Sequence, residues 1–327
     1  MGNLETRSSL SEAMRLMRAG DLSGATAAIK RGLQGGHAAQ PLVAPDAARF
    51  IAGHHAGPAG ERRYKLFIPG AYRGQPLPLV VMLHGCTQSA DDFATGTRMN
   101  ALAEERGCFV VYPEQSRNAN ASKCWNWFNA SDQRPHSGEP AIIAALVREL
   151  SEKYSIDAAR VFIAGLSAGG AMAVILGATH PGLFAAVGVH SGLPYRAAHD
   201  LPSGLAAMRG ASGAGASVGQ GAIPTIVFHG DRDTTVHPGN AEQVALQAAG
   251  PCACDAARDT TVAGEAAGQR AHTRRVFRDG DGRVLVESWL VHGAAHAWCG
   301  GDARGTHTDP RGPDASREMM RFFFARG

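Results

Sequence analysis

The chain has 327 residues, of which 44% are hydrophobic and 19% are charged, as in an ordinary globular protein. Its formal net charge is only +3 and the basic residues form no block, which argues against nucleic-acid binding. No run of about 18 apolar residues occurs, so the sequence predicts no membrane-spanning helix. At this length we expect one large domain with additional segments.

The first 36 residues are predicted to form a helical extension. Leu10, Met14 and Met17 recur at helical spacing, and a second short helix is expected over residues 25–33. The segment lacks the compact apolar region of a secretory signal. We therefore interpret it as a helix pair that docks or mediates oligomerisation, rather than as an address signal.

Residues 37–59 are rich in Gly, Ala and Pro and show no sustained period, so they are interpreted as a linker. Residues 60–327 are then the main domain, in which short β-prone runs alternate with helical ones. The predicted strands are "RRYKLFIP", "PLVVMLHG", "CFVVYPEQ", "ARVFIAG", "FAAVGVHSG" and "IPTIVFHG". The predicted helices are "MNALAEERG", "EPAIIAALVRELSEKY" and "PDASREMMRFFFARG", the last capped by Asp314.

This alternation implies βαβ crossovers, and hence a mostly parallel sheet with helices on both faces. A late segment, "TRRVFRDGDGRVLVESWLVHG", is predicted to be a hairpin that turns at residues 279–282. The small-residue stretch at 201–222 is interpreted as a flexible lid or a plain loop. In α/β sheets, ligands bind beyond the carboxyl ends of the strands, so chemistry is expected there.

One such strand end carries a candidate nucleophile. Residues 165–169 spell G-x-S-x-G between the strand "ARVFIA" and the helix "AGGAMAVILGATH". This is the context of a nucleophile elbow, in which small neighbours allow strained backbone angles at the serine. The alternative is that Ser167 only caps a glycine-rich helix.

A serine hydroxyl needs a base and an orienting carboxylate to act as a nucleophile. In folds with a nucleophile elbow, the acid follows the serine in the chain and the histidine follows the acid. Asp231 and Asp233 come just after "IPTIVFHG", and we choose Asp233 because its carboxylate can fold back toward the strand end. In "SWLVHGAAHAWCGG", His296 is preferred to His292 because it lies in the small-residue loop beyond the strand.

The other histidines are given structural roles. His84 and His229 each precede a glycine at a strand end, where a ring nitrogen can satisfy loop backbone. His54, His55 and His307 lack the paired spacing of a metal site, which argues against a zinc hydrolase. We predict no metal and no cofactor.

An oxyanion hole needs two backbone N–H donors. Ala168, which follows the candidate nucleophile, is the first. The second is expected in "VVMLHGCTQSADDF", at Cys86 or alternatively Thr87. We favour a disulfide between Cys86 and Cys124, which would tie the "CWNWF" segment to this loop. The alternative is two free buried thiols.

In combination, these stretches resemble the esterases of the polyhydroxybutyrate depolymerase family, which also includes feruloyl and acetylxylan esterases. The matching segments cover about residues 60–327: "LPLVVMLHGCTQSADDFA", "CWNWF", "VFIAGLSAGGAMA", "VFHGDRDTTVHP", "GAAHAWCGG" and "TDPRGPDASREMMRFF". The resemblance implies an α/β-hydrolase fold, which makes the main domain the catalytic one. It also implies the following site residues: the triad Ser167, Asp233 and His296, an oxyanion contribution from Cys86, and Trp125, Trp127 and Trp298 near the substrate.

The expected activity is therefore hydrolysis of carboxylic esters, either hydroxyalkanoate and polyester oligomers or short acyl esters. A feruloyl or acetylxylan esterase is the alternative within the family, and a noncatalytic ligand-binding protein is the alternative outside it. Since no polymer-binding domain follows, soluble or amorphous esters are expected rather than crystalline polyester. The resemblance implies secretion, but the missing signal peptide leaves a cytoplasmic location as the alternative.

Two features keep alternatives open. Cys299 stands where many relatives would have a small polar residue, which leaves open a bridge from Cys299 to Cys252 or Cys254. The aromatic cluster at 125–128 either lines the substrate pocket or fills the core under a long loop.

Overall fold

The structure is a computed structural model that describes residues 14–21, 24–25, 47–211, 223–250, 259–263 and 269–326. The chain divides into two units, Met1–Asp46 and Ala47–Gly327. In the first unit, residues 14–18 are helical, in agreement with the spacing of Met14 and Met17. Leu10 and most of the second predicted helix lie outside the described residues.

The second unit begins before the predicted boundary, because part of the predicted linker is a strand. Strand β1 (Arg49–Gly57) pairs antiparallel with β2 (Gly60–Ile68), and every residue of β1 has a partner in β2. The linker prediction is wrong for this stretch. Its glycines and histidines carry no apolar period, and backbone pairing to the neighbouring strand specifies it instead.

One ten-stranded sheet organises the second unit, in the order β1-β2-β4-β3-β5-β6-β7-β10-β9-β8. The six strands from β4 to β10 in this order run parallel, while β1 and β2 at one edge and β9 and β8 at the other are antiparallel. The remaining bounds are β3 Leu77–Leu83, β4 Phe109–Glu114, β5 Ile156–Leu166, β6 Ala186–His190, β7 Thr225–Gly230, β8 Asp259–Ala263, β9 His272–Arg278 and β10 Val284–Val291.

Seven helices of this unit fall within the described residues: α1 Ala90–Thr97, α2 Met99–Arg106, α3 Gly138–Lys153, α4 Ala168–Thr179, α5 Leu201–Met208, α6 Gly239–Ala249 and α7 Ala315–Phe324. Alternate residues of β3 enter two separate cores, which is why the central strands are continuous apolar runs. Leu79 and Val81 pack in the core that contains α3 and α4. Val80 and Met82 pack in the core that contains α1, α2 and α7.

Local predictions are confirmed at two later elements. The side chain of Asp314 accepts a hydrogen bond of 2.9 Å from the Arg317 N–H and so caps α7. The hairpin turns at 279–282, where the Asp279 N–H donates to the Arg283 carbonyl oxygen (2.9 Å) and Gly282 has φ +77°. A left-handed residue at this place is what the turn requires.

The stretch at 201–222 begins with a helix, contrary to the lid-or-loop prediction. Asp200 and Ser203 form a reciprocal capping box at the start of α5, which explains why a segment of small residues becomes helical there. Residues 212–222 lie outside the described residues.

Across the described ranges, no helix combines the length and apolar character needed to cross a membrane. Nor do any three His, Cys, Asp or Glu side chains of the described residues gather as the ligands of a metal ion would.

Candidate active site

The candidate nucleophile lies in a strained turn between β5 and α4. Ser167 has φ 57° and ψ −119°, a backbone conformation that L-residues rarely adopt. Its N–H donates to the His190 carbonyl oxygen (2.8 Å), which ties the turn to the end of β6. The Ser167 side chain makes no capping hydrogen bond to α4, which is evidence against a role as a simple cap.

Two glycines make this turn sterically feasible. A Cβ on Gly169 would lie 2.1 Å from the Leu83 carbonyl oxygen, and one on Gly165 would lie 2.3 Å from the carbonyl carbon of Gly169. The first turn of α4 therefore lies directly against the carboxyl end of β3. This contact brings the serine next to the loop that follows β3.

We expect Gly169→Ala to lower the free energy of unfolding by about 3 kcal/mol or more, since the backbone atoms that it meets cannot move aside. The matched control is Gly280→Ala in the β9–β10 turn, where an added Cβ meets nothing within 4 Å. That change should cost less than about 1 kcal/mol. Urea unfolding measures both; equal stability of the two variants would contradict the packing described.

Asp233 and His296 form a close hydrogen-bonded pair. The Asp233 Oδ2 lies 2.6 Å from the His296 Nδ1, and Oδ1 accepts the N–H groups of Thr235 (2.9 Å) and Val236 (2.8 Å). Burial alone would raise the pKa of Asp233, but hydrogen bonds from His229 and His296 and the Val236 N–H outweigh it and hold this pKa well below its usual range. Asp233 is therefore an ionised acceptor for the imidazole.

Asp231 and His292, the alternatives considered for the acid and the base, form a hydrogen-bonded pair with each other instead. The Asp231 Oδ2 lies 3.0 Å from the His292 Nδ1, and Oδ1 accepts the Gly293 N–H (2.7 Å). Both side chains are about one third exposed. This pair fixes the start of the loop that leads to His296.

His84 and His229 satisfy loop backbone, as predicted. The His84 Nδ1 donates to the Gly85 carbonyl oxygen (2.7 Å), and the His229 Nε2 donates to the Val236 carbonyl oxygen (2.9 Å). The His229 Nε2 also lies 3.3 Å from the Asp233 Oδ2, so this buried ring borders the acid as well.

The structure separates the two alternatives for the second oxyanion donor. The Thr87 N–H is engaged by the Ser122 carbonyl oxygen (2.7 Å), whereas the Cys86 N–H donates to no acceptor in the part of the chain that the structure describes. Ala168 is the first residue of α4, where N–H groups have no acceptor within the helix. The amides of Cys86 and Ala168 both lack an acceptor among the described residues, and their role as an oxyanion pair stays a prediction.

Cys86 and Cys124 form the favoured disulfide. The loop after β4 is also held by the Gln115 Nε2, which donates to the Cys124 carbonyl oxygen (2.9 Å). Cys299 is a buried free thiol, so the bridge left open from that residue is not formed. Its two suggested partners, Cys252 and Cys254, lie outside the described residues.

Replacing Cys86 and Cys124 together by serine should lower the free energy of unfolding by about 3–4 kcal/mol, given the 38-residue separation. We also expect kcat for the hydrolysis of p-nitrophenyl butyrate to be about tenfold lower, because the disulfide no longer holds the backbone amide of Cys86 in place. As a control, Cys108→Ala removes a buried free thiol and should cost about 1 kcal/mol with kcat unchanged. A double variant that behaves like this control would contradict an anchoring role.

The family resemblance implies that three tryptophans lie near the substrate, but two of them are core residues. Trp125 is 0% exposed and Trp298 is 1% exposed. Their indole N–H groups are satisfied inside the protein, by the His84 carbonyl oxygen (3.0 Å) and the Ser316 Oγ (3.0 Å). The prediction is wrong for these two, since neither surface is open to a ligand. Trp127 is 6% exposed and packs edge-on against Phe128.

Sequence analysis missed His190, which is fully buried beside the site. Its Nε2 accepts the N–H of Cys299 (3.0 Å). A histidine at a strand end, in "GVHSG", was the only sequence signal, and His84 and His229 carry the same one.

Two buried histidines make the stability depend on pH. Burial lowers the pKa of His84 to about 4 and that of His190 to about 3. In the unfolded chain both titrate near the usual value of about 6.5. Below that pH the unfolded chain takes up protons that the folded chain does not, so the free energy of unfolding falls as the pH falls.

Between pH 7 and pH 5, protonation of each of these histidines in the unfolded chain should lower the free energy of unfolding by about 2 kcal/mol. His84→Gln should therefore reduce the difference in unfolding free energy between pH 7 and pH 5 by about this amount. Urea denaturation at both pH values measures it. An unchanged difference in the variant would show that His84 is not kept neutral by burial.

The sheet order, the helices on both faces and the serine turn after a central parallel strand define an α/β-hydrolase fold. Residues 62–271 match the family model described as esterase PHB depolymerase, and the chain belongs to this family.

Two curated relatives agree with this assignment, and a solved structure shares the fold. The poly(3-hydroxyalkanoate) depolymerase C of Paucimonas lemoignei is 33% identical over 71% of this chain and 56% of that protein. The poly(3-hydroxybutyrate) depolymerase of Ralstonia pickettii is 30% identical over 68% of this chain and 48% of that protein. The chain thus spans about half the length of these relatives. An acetyl xylan esterase from Aspergillus awamori shares the fold, with a TM-score of 0.66 at 20% identity over 85% of this chain and 98% of that one.

Proposed function

We propose that this chain is a serine carboxylic-ester hydrolase that cleaves hydroxyalkanoate or polyester oligomers, or short acyl esters, through an acyl-enzyme on Ser167. One observation carries the proposal: a serine in a strained strand-to-helix turn lies beyond the carboxyl ends of the parallel strands, as does a carboxylate hydrogen-bonded to an imidazole at 2.6 Å. The names of the two depolymerase relatives support the substrate class.

In the first half-reaction, the His296 Nε2 takes the proton of Ser167 as its Oγ attacks the ester carbonyl carbon. The carbonyl oxygen becomes an oxyanion that accepts the N–H groups of Ala168 and Cys86. When the tetrahedral intermediate collapses, His296 passes the proton to the leaving alcohol. Water then repeats these steps on the acyl-enzyme, and the carboxylic acid leaves.

Asp233 orients the base and stabilises its charged form. Its Oδ2 holds the His296 Nδ1–H, which leaves Nε2 free to receive the proton of the serine. The ionised carboxylate also stabilises the imidazolium that forms in each transition state. Burial makes this attraction stronger than it would be in water.

Trp127 is proposed as an apolar wall for the acyl or alcohol group. The proposal is supported by the exposure that Trp127 keeps, 6% against 0% for Trp125 and 1% for Trp298, and by its position against α5, where a Cβ on Gly204 would lie 3.5 Å from its ring. Helix α5 belongs to the connection between β6 and β7, whose carboxyl ends lie on the same side of the sheet as the serine turn after β5.

The deciding experiment is a substrate panel. p-Nitrophenyl esters of increasing acyl length are compared with hydroxybutyrate oligomers, methyl ferulate and acetylated xylan, by kcat/KM. We expect the highest value on hydroxybutyrate oligomers or short acyl esters. A strong preference for methyl ferulate or acetylated xylan would replace the proposed substrate class by the plant cell-wall alternative.

A noncatalytic binding protein is distinguished by active-site labelling. A fluorophosphonate probe reacts only with an activated serine, so we expect stoichiometric labelling that Ser167→Ala abolishes. A folded chain that is neither labelled nor hydrolyses any ester of the panel would overturn the proposal.

A further inference from the structure

We propose that His190 is a positioning residue, whose ring holds the loop of His296 at a fixed distance from the turn of Ser167, which its backbone oxygen holds. The inference rests on the function proposed above. It concerns a residue that touches neither substrate nor the reacting atoms, since His190 is 0% exposed.

The first observation is that His190 is hydrogen-bonded to both segments. Its backbone oxygen accepts the N–H of Ser167 at 2.8 Å. Its ring Nε2 accepts the N–H of Cys299 at 3.0 Å, three residues after His296. One residue therefore joins the turn of the nucleophile to the loop of the base.

The second observation is that the same ring is stacked against two aromatic side chains. The ring centroids of His190 and Phe228 are 5.9 Å apart, with planes 12° from parallel. Trp298 lies at 5.2 Å and 27°. Phe228 belongs to β7, which leads to Asp233, and Trp298 follows His296 by two residues. The ring thus contacts the segments that lead to Asp233 and follow His296, while the backbone oxygen of the same residue holds the turn of Ser167.

The third observation is that the orientation of the ring is fixed. Because Nε2 accepts an N–H, the ring proton is on Nδ1, which lies 3.3 Å from the Ser191 Oγ. Trp298 is held in turn, since its backbone N–H donates to the His307 carbonyl oxygen (2.7 Å) and its indole N–H to the Ser316 Oγ (3.0 Å). A rotation of the His190 ring would break its hydrogen bond with the Cys299 N–H and its contact with the Ser191 Oγ.

The His190 ring has two roles that substitutions can separate: it stacks on aromatic side chains, and it accepts a hydrogen bond. Phenylalanine would keep the stack but leave the Cys299 N–H unpaired, whereas the side-chain oxygen of glutamine can replace Nε2 as the acceptor. If the acceptor sets the geometry, losing it displaces the loop of His296. A displacement of about 1 Å can cost about 100-fold in rate.

The experiment compares His190→Phe, His190→Met and His190→Gln with the parent, by kcat and KM on p-nitrophenyl butyrate, by the rate of fluorophosphonate labelling, and by thermal unfolding. The matched control is His55→Phe, which removes another buried histidine, bonded to Glu149 on the far edge of the sheet. All kinetics are measured well below the unfolding temperature of the least stable variant.

We expect kcat and the labelling rate of His190→Phe and His190→Met to fall by about 10- to 100-fold with KM nearly unchanged. His190→Gln should recover both to within about threefold, and His55→Phe should lose thermal stability with kcat unchanged. If His190→Phe does not fold, His190→Met takes its place, because its flexible side chain adapts to irregular cavities.

Two results would overturn the inference. One is a kcat for His190→Phe or His190→Met within twofold of the parent. The other is failure of both to fold while His190→Gln behaves like the parent, because the acceptor would then serve folding alone. Failure of the proposed function is distinguishable, since it is read on the parent chain alone, as absent hydrolysis and absent labelling. If the parent is labelled but hydrolyses none of these esters, the labelling rates of the variants still test the role of His190.

Discussion

Ser167→Ala should reduce kcat/KM for p-nitrophenyl butyrate by about 10⁴-fold or more, because no other group can form the acyl-enzyme. The fold should persist, since serine and alanine both place a Cβ at φ 57° and the Ser167 side chain makes no capping hydrogen bond to α4. We expect the free energy of unfolding to change by less than about 1 kcal/mol.

Steady-state kinetics and fluorophosphonate labelling check this result, and Ser151→Ala is the matched control. The Ser151 Oγ donates to the Val147 carbonyl oxygen (2.8 Å) within α3, away from the site, and its loss should leave kcat unchanged. Hydrolysis by Ser167→Ala at a rate close to the parent would refute the assignment of the nucleophile.

Asp233→Asn should lower kcat by about 10⁴-fold, because it stabilises the wrong tautomer of His296. The Asp233 Oδ1 accepts two backbone N–H groups, from Thr235 and Val236. An asparagine must turn its carbonyl oxygen toward these donors, so its NH₂ group faces the His296 Nδ1. The imidazole then carries its proton on Nε2, where it cannot accept the proton of the serine.

The neighbouring Asp231→Asn is the matched control, because Asp231 bonds His292 and the Gly293 N–H in the same loop. We expect it to reduce kcat less than tenfold, since the Asp233–His296 pair remains. Measuring kcat and unfolding for both variants separates a chemical role from a structural one. A larger kcat loss in Asp231→Asn than in Asp233→Asn would exchange the two assignments.

The central strands could be predicted because parallel strands covered on both faces are continuous apolar runs. β3 and β6 are examples, as "LPLVVML" and "AVGVH" contain scarcely any polar residue. β1 at the sheet edge could not be predicted in this way. Its residues are mostly exposed, and its strand character comes from pairing with β2, which no local pattern records.

The same difference between local and long-range contacts applies to the candidate site. The serine turn could be predicted from the sequence because its steric constraint is recorded in the residues beside the serine. Only glycine fits at Gly165 and Gly169, where a Cβ would meet backbone atoms. The burial of the tryptophans could not be predicted from the sequence, because the same aromatic residue can fill a core or line a pocket. Their burial depends on which distant strands and loops cover them.

Local residue patterns were enough to predict the alternating α/β elements, the strained serine turn and the chain order of serine, acid and histidine. Tertiary contacts were needed to show that Cys86 rather than Thr87 has the free amide, that Asp233 rather than Asp231 bonds His296, and that His190 joins the two loops. The difference lies in the distance along the chain over which each interaction acts. Backbone sterics and apolar periodicity act over a few residues, whereas these hydrogen bonds join residues 35 to 109 positions apart, which only folding brings within 3 Å.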